Sequence, residues 1–217
     1  MGLIQCTNEL SGWRLHFCRL RSEPGNHDGV LRLAIGGALA TFHGRFAAKA
    51  LGDDPVVKSV RRLLAATVPD VSHEPPSSEA LAKRILAGTE FPRRSAPEDL
   101  CRLLILKTLA PWSVADCAQT SPPYTFRVGR MGERYRLGDR TLDVQGWPVL
   151  VDAGHFVGSP LCGTACDVPD EVDEVLLICY HPEEVAEFVN PAAQLARLVV
   201  MTSAFRFLEE KAVVAGR

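Results

Sequence analysis

The 217-residue chain lacks several features that would place it in a class at once. No apolar run reaches the roughly 18–20 residues that a membrane helix needs. Charged and histidine side chains interrupt the first twenty residues, so these lack the apolar centre of a signal peptide. There is no basic excess, because 24 lysines and arginines face 26 aspartates and glutamates. This balance argues against a tight, non-specific nucleic-acid binder, although a local basic face remains compatible with brief contact with an RNA end.

Common catalytic and cofactor motifs are also missing. The seven cysteines include no CxxC pair, which indicates free thiols in a reducing compartment rather than a disulfide framework. There is no phosphate loop and no dinucleotide-binding fingerprint. A GxSxG elbow and an HExxH helix are absent as well. We therefore expect a globular cytoplasmic protein that uses neither a nucleotide motif nor a familiar hydrolase motif.

Helix starts stand out in the sequence because side chains suited to capping precede prolines or apolar stretches. They occur at Asp54 before Pro55, at Ser77 or Ser78 after two prolines, at Ser95 before Ala96-Pro97-Glu98, and at Asn190 before Pro191. The third is a capping box, in which the Ser95 hydroxyl accepts a backbone N–H and Glu98 reaches back. The last helix is predicted to extend through Phe205.

Strands are predicted mainly in the middle of the chain. Residues 124–131 and 135–137 flank Gly132-Glu133 and suggest a hairpin. Further strands are expected at the positions 30–35, 141–144, 149–152 and 172–180, the last as a central strand. Helices first, then a block of strands and then helices favour the α+β class over a regular βαβ alternation. We expect one domain over residues 1–217, with residues 1–55 packed as an N-terminal extension on the same core.

Two groups of side chains could carry chemistry. His155, Cys162 and Cys166 are three potential metal ligands or thiols within twelve positions, but their spacing selects no fourth ligand and no base. Buried or loop thiols beside a surface histidine are the simpler interpretation. A second group is basic and could hold a few phosphates, or could simply be a solvated face. Its members are Lys83, Arg84, Arg93, Arg94 and Arg102.

Five pieces in a fixed order resemble the B3/4 domain, which is the editing domain of the phenylalanyl-tRNA synthetase β subunit and also occurs as free-standing proteins. The resemblance spans roughly residues 90–182. The pieces are FPRRSAPEDL at 91–100, LLILKTLAPWSVAD at 103–116, PVLVDA at 148–153, GSPLCGTAC at 158–166 and DEVLLI at 173–178.

The resemblance implies a three-layer β/β/α arrangement and an aminoacyl-tRNA deacylase that removes a wrong amino acid in trans. It implies tRNA as the partner, and neither a metal nor another cofactor. Aminoacyl-tRNA is an activated ester, so a positioned water and oxyanion donors suffice for its hydrolysis. Backbone amides of Gly163 and Thr164 would be those donors. Arg93, Arg94, Ser113, Cys162, Cys166 and Glu174 would bind the substrate.

Two departures from the family pattern limit what carries over. The synthetase has a histidine at the position of Ser113, and a glycine-glycine-glutamate where this chain has residues 162–166. Selection of tyrosine therefore does not transfer. A non-catalytic module that binds tRNA, other RNA or a small molecule stays open as the alternative, and so does a metal- or thiol-dependent enzyme.

Overall fold

The computed structural model describes residues 4–68, 75–137, 140–153, 155–162 and 168–216. Within them the helices are α1 (Asp28–Phe46), α2 (Pro55–Leu64), α3 (Ser77–Leu86), α4 (Ala96–Thr108), α5 (Ala186–Val189) and α6 (Pro191–Thr202). The strands are β1 (Cys6–Asn8), β2 (Trp13–Ser22), β3 (Trp112–Asp116), β4 (Tyr124–Val128), β5 (Arg134–Leu137), β6 (Arg140–Asp143), β7 (Pro148–Val151), β8 (Phe156–Gly158), β9 (Glu174–Pro182) and β10 (Phe205–Val214). The predicted α+β class is confirmed.

Two four-stranded sheets form the centre of the molecule. The strand order is β1-β4-β7-β8 in one, which we call the outer sheet, and β10-β2-β9-β3 in the other, which we call the inner sheet. Aromatic rings join their facing sides: Trp13 and Tyr180 of the inner sheet contact Phe126 of the outer sheet. These rings are almost fully buried, and burial of this kind is the main source of folding free energy.

The helices cover the opposite side of the inner sheet. Side chains alternate along β3, so that Ser113 points toward the outer sheet while Trp112 points toward the helices. The Trp112 indole donates a hydrogen bond to Thr108 of α4 at 3.0 Å. Helices α2, α4 and α6 contact this sheet, while α1 and α3 pack against α4. The layers thus run outer sheet, inner sheet, helices, and none of the described helices is both long and apolar enough to cross a bilayer.

The predicted helix starts are confirmed. Asp54 accepts a hydrogen bond from the Val56 amide at 3.0 Å, and Asn190 caps α6. The Ser95 hydroxyl accepts from the Glu98 amide at 3.4 Å. The other half of the capping box is wrong, because the Glu98 carboxylate engages Arg102 and the Val168 amide instead.

The predicted strand at residues 30–35 is wrong, since these residues belong to α1. The buried positions of α1 are Leu31, Ala34, Ile35, Ala38 and Phe42, which recur with the spacing of one helix face. The apolar run looked like a strand because the intervening positions are also largely apolar, and its apparent glycine boundary lies inside the helix.

The predicted hairpin around Gly132-Glu133 is also wrong. Strand β4 pairs with β1 and β7, whereas β5 pairs with β6 in a separate two-stranded sheet. The chain turns away at Gly129, where a Cβ atom would lie only 1.9 Å from the Val144 carbonyl oxygen. Arg127 then binds Glu133 across the turn at 2.6 Å.

The two ends of the chain contribute strands that the sequence reading missed. The prediction carried the last helix to Phe205, but α6 ends at Thr202 and Ser203 adopts a left-handed conformation with φ of 51°. Phe205 begins β10, which pairs antiparallel with β2. As predicted for the central strand, β9 lies between β2 and β3. The predicted order of helices before strands therefore fails at both ends.

Candidate functional site

An open cleft lies between α3, α4 and residues 159–162. Its volume is about 620 Å³. Pro92 and Arg94 line it ahead of α4, while Leu161 and Cys162 line it from the turn after β8. The structure therefore brings together parts of two predicted segments that are about seventy residues apart in the sequence.

The turn after β8 is held in place mainly by backbone hydrogen bonds. The Ser77 amide at the start of α3 donates to the Pro160 carbonyl at 2.9 Å, and Ser159 and Cys162 exchange backbone hydrogen bonds of 3.2 Å. The Ser159 hydroxyl donates to the Pro148 carbonyl at 2.7 Å and accepts from the Leu161 amide at 3.1 Å. Since β8 and β3 are edge strands on the same side of the two sheets, this turn reaches around the edge to the helices.

The first turn of α4 contributes two buried carboxylates, of which Glu98 lines the cleft. Glu98 is 3% exposed and Asp99 is fully buried. Asp99 accepts hydrogen bonds from the Arg93 side chain at 2.9 Å and from the Arg94 amide at 3.0 Å. Arg102 binds Glu98 and lies 3.5 Å from Asp99. Acidic groups at a helix N-terminus interact favourably with its dipole, and the arginines supply the opposite charge that buried carboxylates need.

The described residues on either side of 163–167 are both close to the cleft. Cys162 lines the cleft, and the Val168 amide donates to Glu98 at 3.3 Å. The predicted residues Gly163, Thr164 and Cys166 themselves lie outside the described residues.

The two predicted arginines occupy different surroundings. Arg94 lines the cleft. Arg93 instead binds Asp28 at 2.6 Å as well as Asp99, in a neighbouring depression of about 320 Å³ that Arg94 also lines. Burial alone would lower the pKa of Arg93, but its hydrogen bonds to both aspartates raise it above the usual value. Arg93 is therefore committed to internal ion pairs.

Ser113 is fully buried between the two sheets. Its hydroxyl lies 2.9 Å from the Tyr180 hydroxyl, and either group can donate. A Cβ atom placed on Gly158 would lie 2.5 Å from the Ser113 oxygen, so this interior site has no spare room. Burial raises the pKa of Tyr180 well above its usual range, opposed by the hydrogen bond with Ser113. Ser113 does not line the cleft.

Glu174 lies on the same side of the inner sheet as Ser113, away from the helices. It binds Arg19 and, at 2.5 Å, Arg21. These hydrogen bonds, that of Arg21 first, lower the pKa of Glu174 against the effect of burial. Its carboxylate lines a third depression, of about 720 Å³, together with Cys117. The structure thus separates Glu174 from the cleft.

The thiol and metal alternatives find few partners in the described residues. The His155 ring lies 3.1 Å from Asp152 and is largely exposed. Among residues 4–68, 75–137, 140–153, 155–162 and 168–216, no three His, Cys, Asp or Glu side chains are grouped to hold a metal. Cys101 also lines the cleft, but burial raises the pKa of its thiol to about 12.

The members of the basic cluster predicted from the sequence differ in whether they line the cleft. Arg84 and Arg102 line the cleft together with Arg94. Lys83 instead binds the buried Glu79 at 2.6 Å. Helical spacing carries a weak signal for this division, because adjacent positions on α3 point in directions about 100° apart. The pairing of Glu98 with Arg102 did have a signal in the sequence, because an acidic and a basic residue four positions apart on a helix face each other.

Two comparisons with known proteins found no match for the chain. No family model matches it, and no curated protein matches it. The fold and the cleft are therefore the basis for its functional interpretation.

Proposed function

We propose that this protein is a B3/4-like aminoacyl-tRNA deacylase that hydrolyses mischarged tRNA in trans, with the acylated 3′ end in the cleft. One observation carries the proposal: an open cleft joins Arg94 to Cys162, which directly precedes Gly163 and Thr164 in the sequence. The sequence of layers, with two sheets and then helices, supports the same family.

Hydrolysis of aminoacyl-tRNA requires few catalytic side chains. The ester of aminoacyl-tRNA is already activated, so the site needs a positioned water and donors for the oxyanion. Backbone amides of Gly163 and Thr164 serve as those donors in this proposal. Cys162 and Cys166 border the acyl group, and Arg94 contacts the terminal phosphate or ribose. Arg93, Ser113 and Glu174 support the domain through internal contacts rather than by binding substrate.

Release of amino acids from a panel of mischarged tRNAs tests the proposal. Thr164→Pro removes one backbone N–H and is expected to slow release by about 100-fold, as loss of one oxyanion donor does in other hydrolases. Thr164→Ala keeps that N–H and should retain most of the activity. If the wild-type protein releases no amino acid from any charged tRNA faster than buffer does, the deacylase proposal is wrong.

The sealed interior around Ser113 favours a second candidate, a non-catalytic module that binds tRNA, other RNA or a small molecule. Tyr180 fills the space next to Ser113, and Gly158 closes it. A domain whose family pocket is filled in this way can keep the fold and the cleft without hydrolysis. A gel shift with uncharged tRNA separates the two candidates, since retention of tRNA without deacylation supports the binding module.

A further inference from the structure

The cleft is positively charged although the protein as a whole has a formal net charge of −2. Among the described residues that line it, Arg84, Arg94 and Arg102 face one carboxylate, that of Glu98. Both oxygens of this carboxylate already accept hydrogen bonds, one from Arg102 and one from the Val168 amide. A concave site lined by one sign of charge attracts ligands of the opposite sign.

Arg84 differs from its neighbour Lys83 in having no internal role. Lys83 and Arg61 share the buried carboxylate of Glu79, at 2.6 Å from each side chain. In the part of the chain that the structure describes, the Arg84 side chain makes no hydrogen bond or ion pair and is exposed to solvent. Its guanidinium therefore has all of its donors available to a ligand.

The buried carboxylates of Glu98 and Asp99 orient the Arg102 side chain. It is 19% exposed, whereas Glu98 and Asp99, the carboxylates that orient it, are 3% and 0% exposed by their side chains. A guanidinium fixed in this way loses little conformational freedom when it binds an anion. The cleft thus combines one pre-oriented arginine with one unpaired arginine on the facing helix.

We propose that Arg84 and Arg102 form a phosphate-binding subsite that takes a phosphodiester of a single-stranded RNA 3′ end. The guanidinium fork matches the geometry of phosphate oxygens. The identity of the ligand as an RNA end rests on the proposed function, while the phosphate subsite rests on the cleft itself.

Fluorescence anisotropy with 5′-fluorescein-labelled CpCpA tests the subsite. Arg84→Gln is expected to weaken binding about tenfold, as loss of a charge-assisted hydrogen bond does. It should also reduce the slope of log K against log salt by about 0.7, the value for one phosphate contact on a single strand. Arg197→Gln is the matched control, because Arg197 is an exposed arginine on α6 outside the cleft.

Competition with adenosine, which has no phosphate, distinguishes the subsite from a base-stacking site. Arg84→Gln should leave the affinity for adenosine unchanged. Equal affinities of the Arg84 and Arg197 variants for CpCpA would overturn the subsite, and so would an absence of CpCpA binding to the wild-type protein at low salt. Arg84-dependent binding in a protein that deacylates no tRNA would support the subsite and reject the deacylase.

Discussion

The cleft and the interior around Ser113 both collect polar groups, yet they differ in how those groups are satisfied. Between the sheets, the Ser113 and Tyr180 hydroxyls bind each other, and Gly158 leaves no space for a third group. In the cleft, Glu98 is paired with Arg102, while the Arg84 side chain lines the wall without a partner in the described residues. Polar side chains that form hydrogen bonds with each other stabilise the fold, whereas a polar side chain without a partner at an open surface is available to a ligand.

The largest expected effect is on the packed interior around Ser113. Gly158→Ala places a methyl group 2.5 Å from the Ser113 oxygen and 2.7 Å from the Tyr180 oxygen. We expect a loss of about 3 kcal/mol in the free energy of unfolding, because an added carbon in a packed core forces its neighbours apart. Urea denaturation measures it.

Gly36→Ala is the matched control for that substitution. Gly36 lies within α1, and a Cβ atom there would meet nothing within 4 Å. Alanine should therefore stabilise the protein by about 0.5–1 kcal/mol, since glycine is the poorer helix former. Similar losses for both glycine variants would show that the interior near Ser113 is not tightly packed.

A pH effect of about 3 kcal/mol at most is expected from His181, the residue after Tyr180. Burial lowers its pKa to about 4, aided by Arg14 and His16 and opposed by the hydrogen bond with the Pro182 carbonyl. The unfolded state then binds the proton more readily, so stability is complete above pH 6.5 and falls as pH drops toward 4.

Urea denaturation at pH 7 and pH 5 measures this loss. The part of the loss that is due to His181 should be absent in His181→Gln, while the part due to the buried His16, whose pKa burial also lowers, should remain. A loss of stability between pH 7 and pH 5 that is as large in His181→Gln as in the wild-type protein would contradict the assignment to His181.

A smaller effect is expected from the hydroxyl pair. Tyr180→Phe leaves the Ser113 hydroxyl buried without its partner, which should cost about 1–2 kcal/mol. Ser113→Ala should cost a similar amount. The double variant should lose less than the sum of the two, because neither hydroxyl remains unpaired. Strictly additive losses in thermal or urea unfolding would indicate that the two hydroxyls do not interact.

The smallest effect is expected on the cleft side. Arg84→Gln should change the free energy of unfolding by less than about 0.5 kcal/mol, because an exposed side chain without partners contributes little to stability. Its effect should appear in ligand binding instead. A loss above 1 kcal/mol in urea denaturation would mean that Arg84 has a structural role and would weaken the contrast between the two regions.

Local signals in the sequence were sufficient for part of the fold. Asp54, Ser95 and Asn190 cap the helices that they were predicted to start, because capping depends on residues within one turn. Strand β2 was missed since Arg14, Arg19 and Arg21 make it look polar, although its other positions are mostly buried. Pairing between distant strands decides such cases, and no local pattern contains it.

The candidate site was predictable to a similar extent. The proximity of the Arg94 and Cys162 segments was predicted from the resemblance, and the structure brings them to one cleft. The burial of Ser113 was not predictable, because it depends on Tyr180 and Gly158, which come from two other strands. That Lys83 binds Glu79 while Arg84 lines the cleft was likewise not predictable, because it depends on how α3 packs.

Main-chain atoms fix both rims of the cleft. The Ser77 amide holds the Pro160 carbonyl, and the Val168 amide holds Glu98. Because every residue has a main-chain carbonyl, and every residue except proline has an amide proton, many substitutions at 77, 160 and 168 would leave the walls where they are. A cleft that main-chain atoms hold in shape depends little on particular side chains. Proteins with little sequence similarity could therefore have the same cleft.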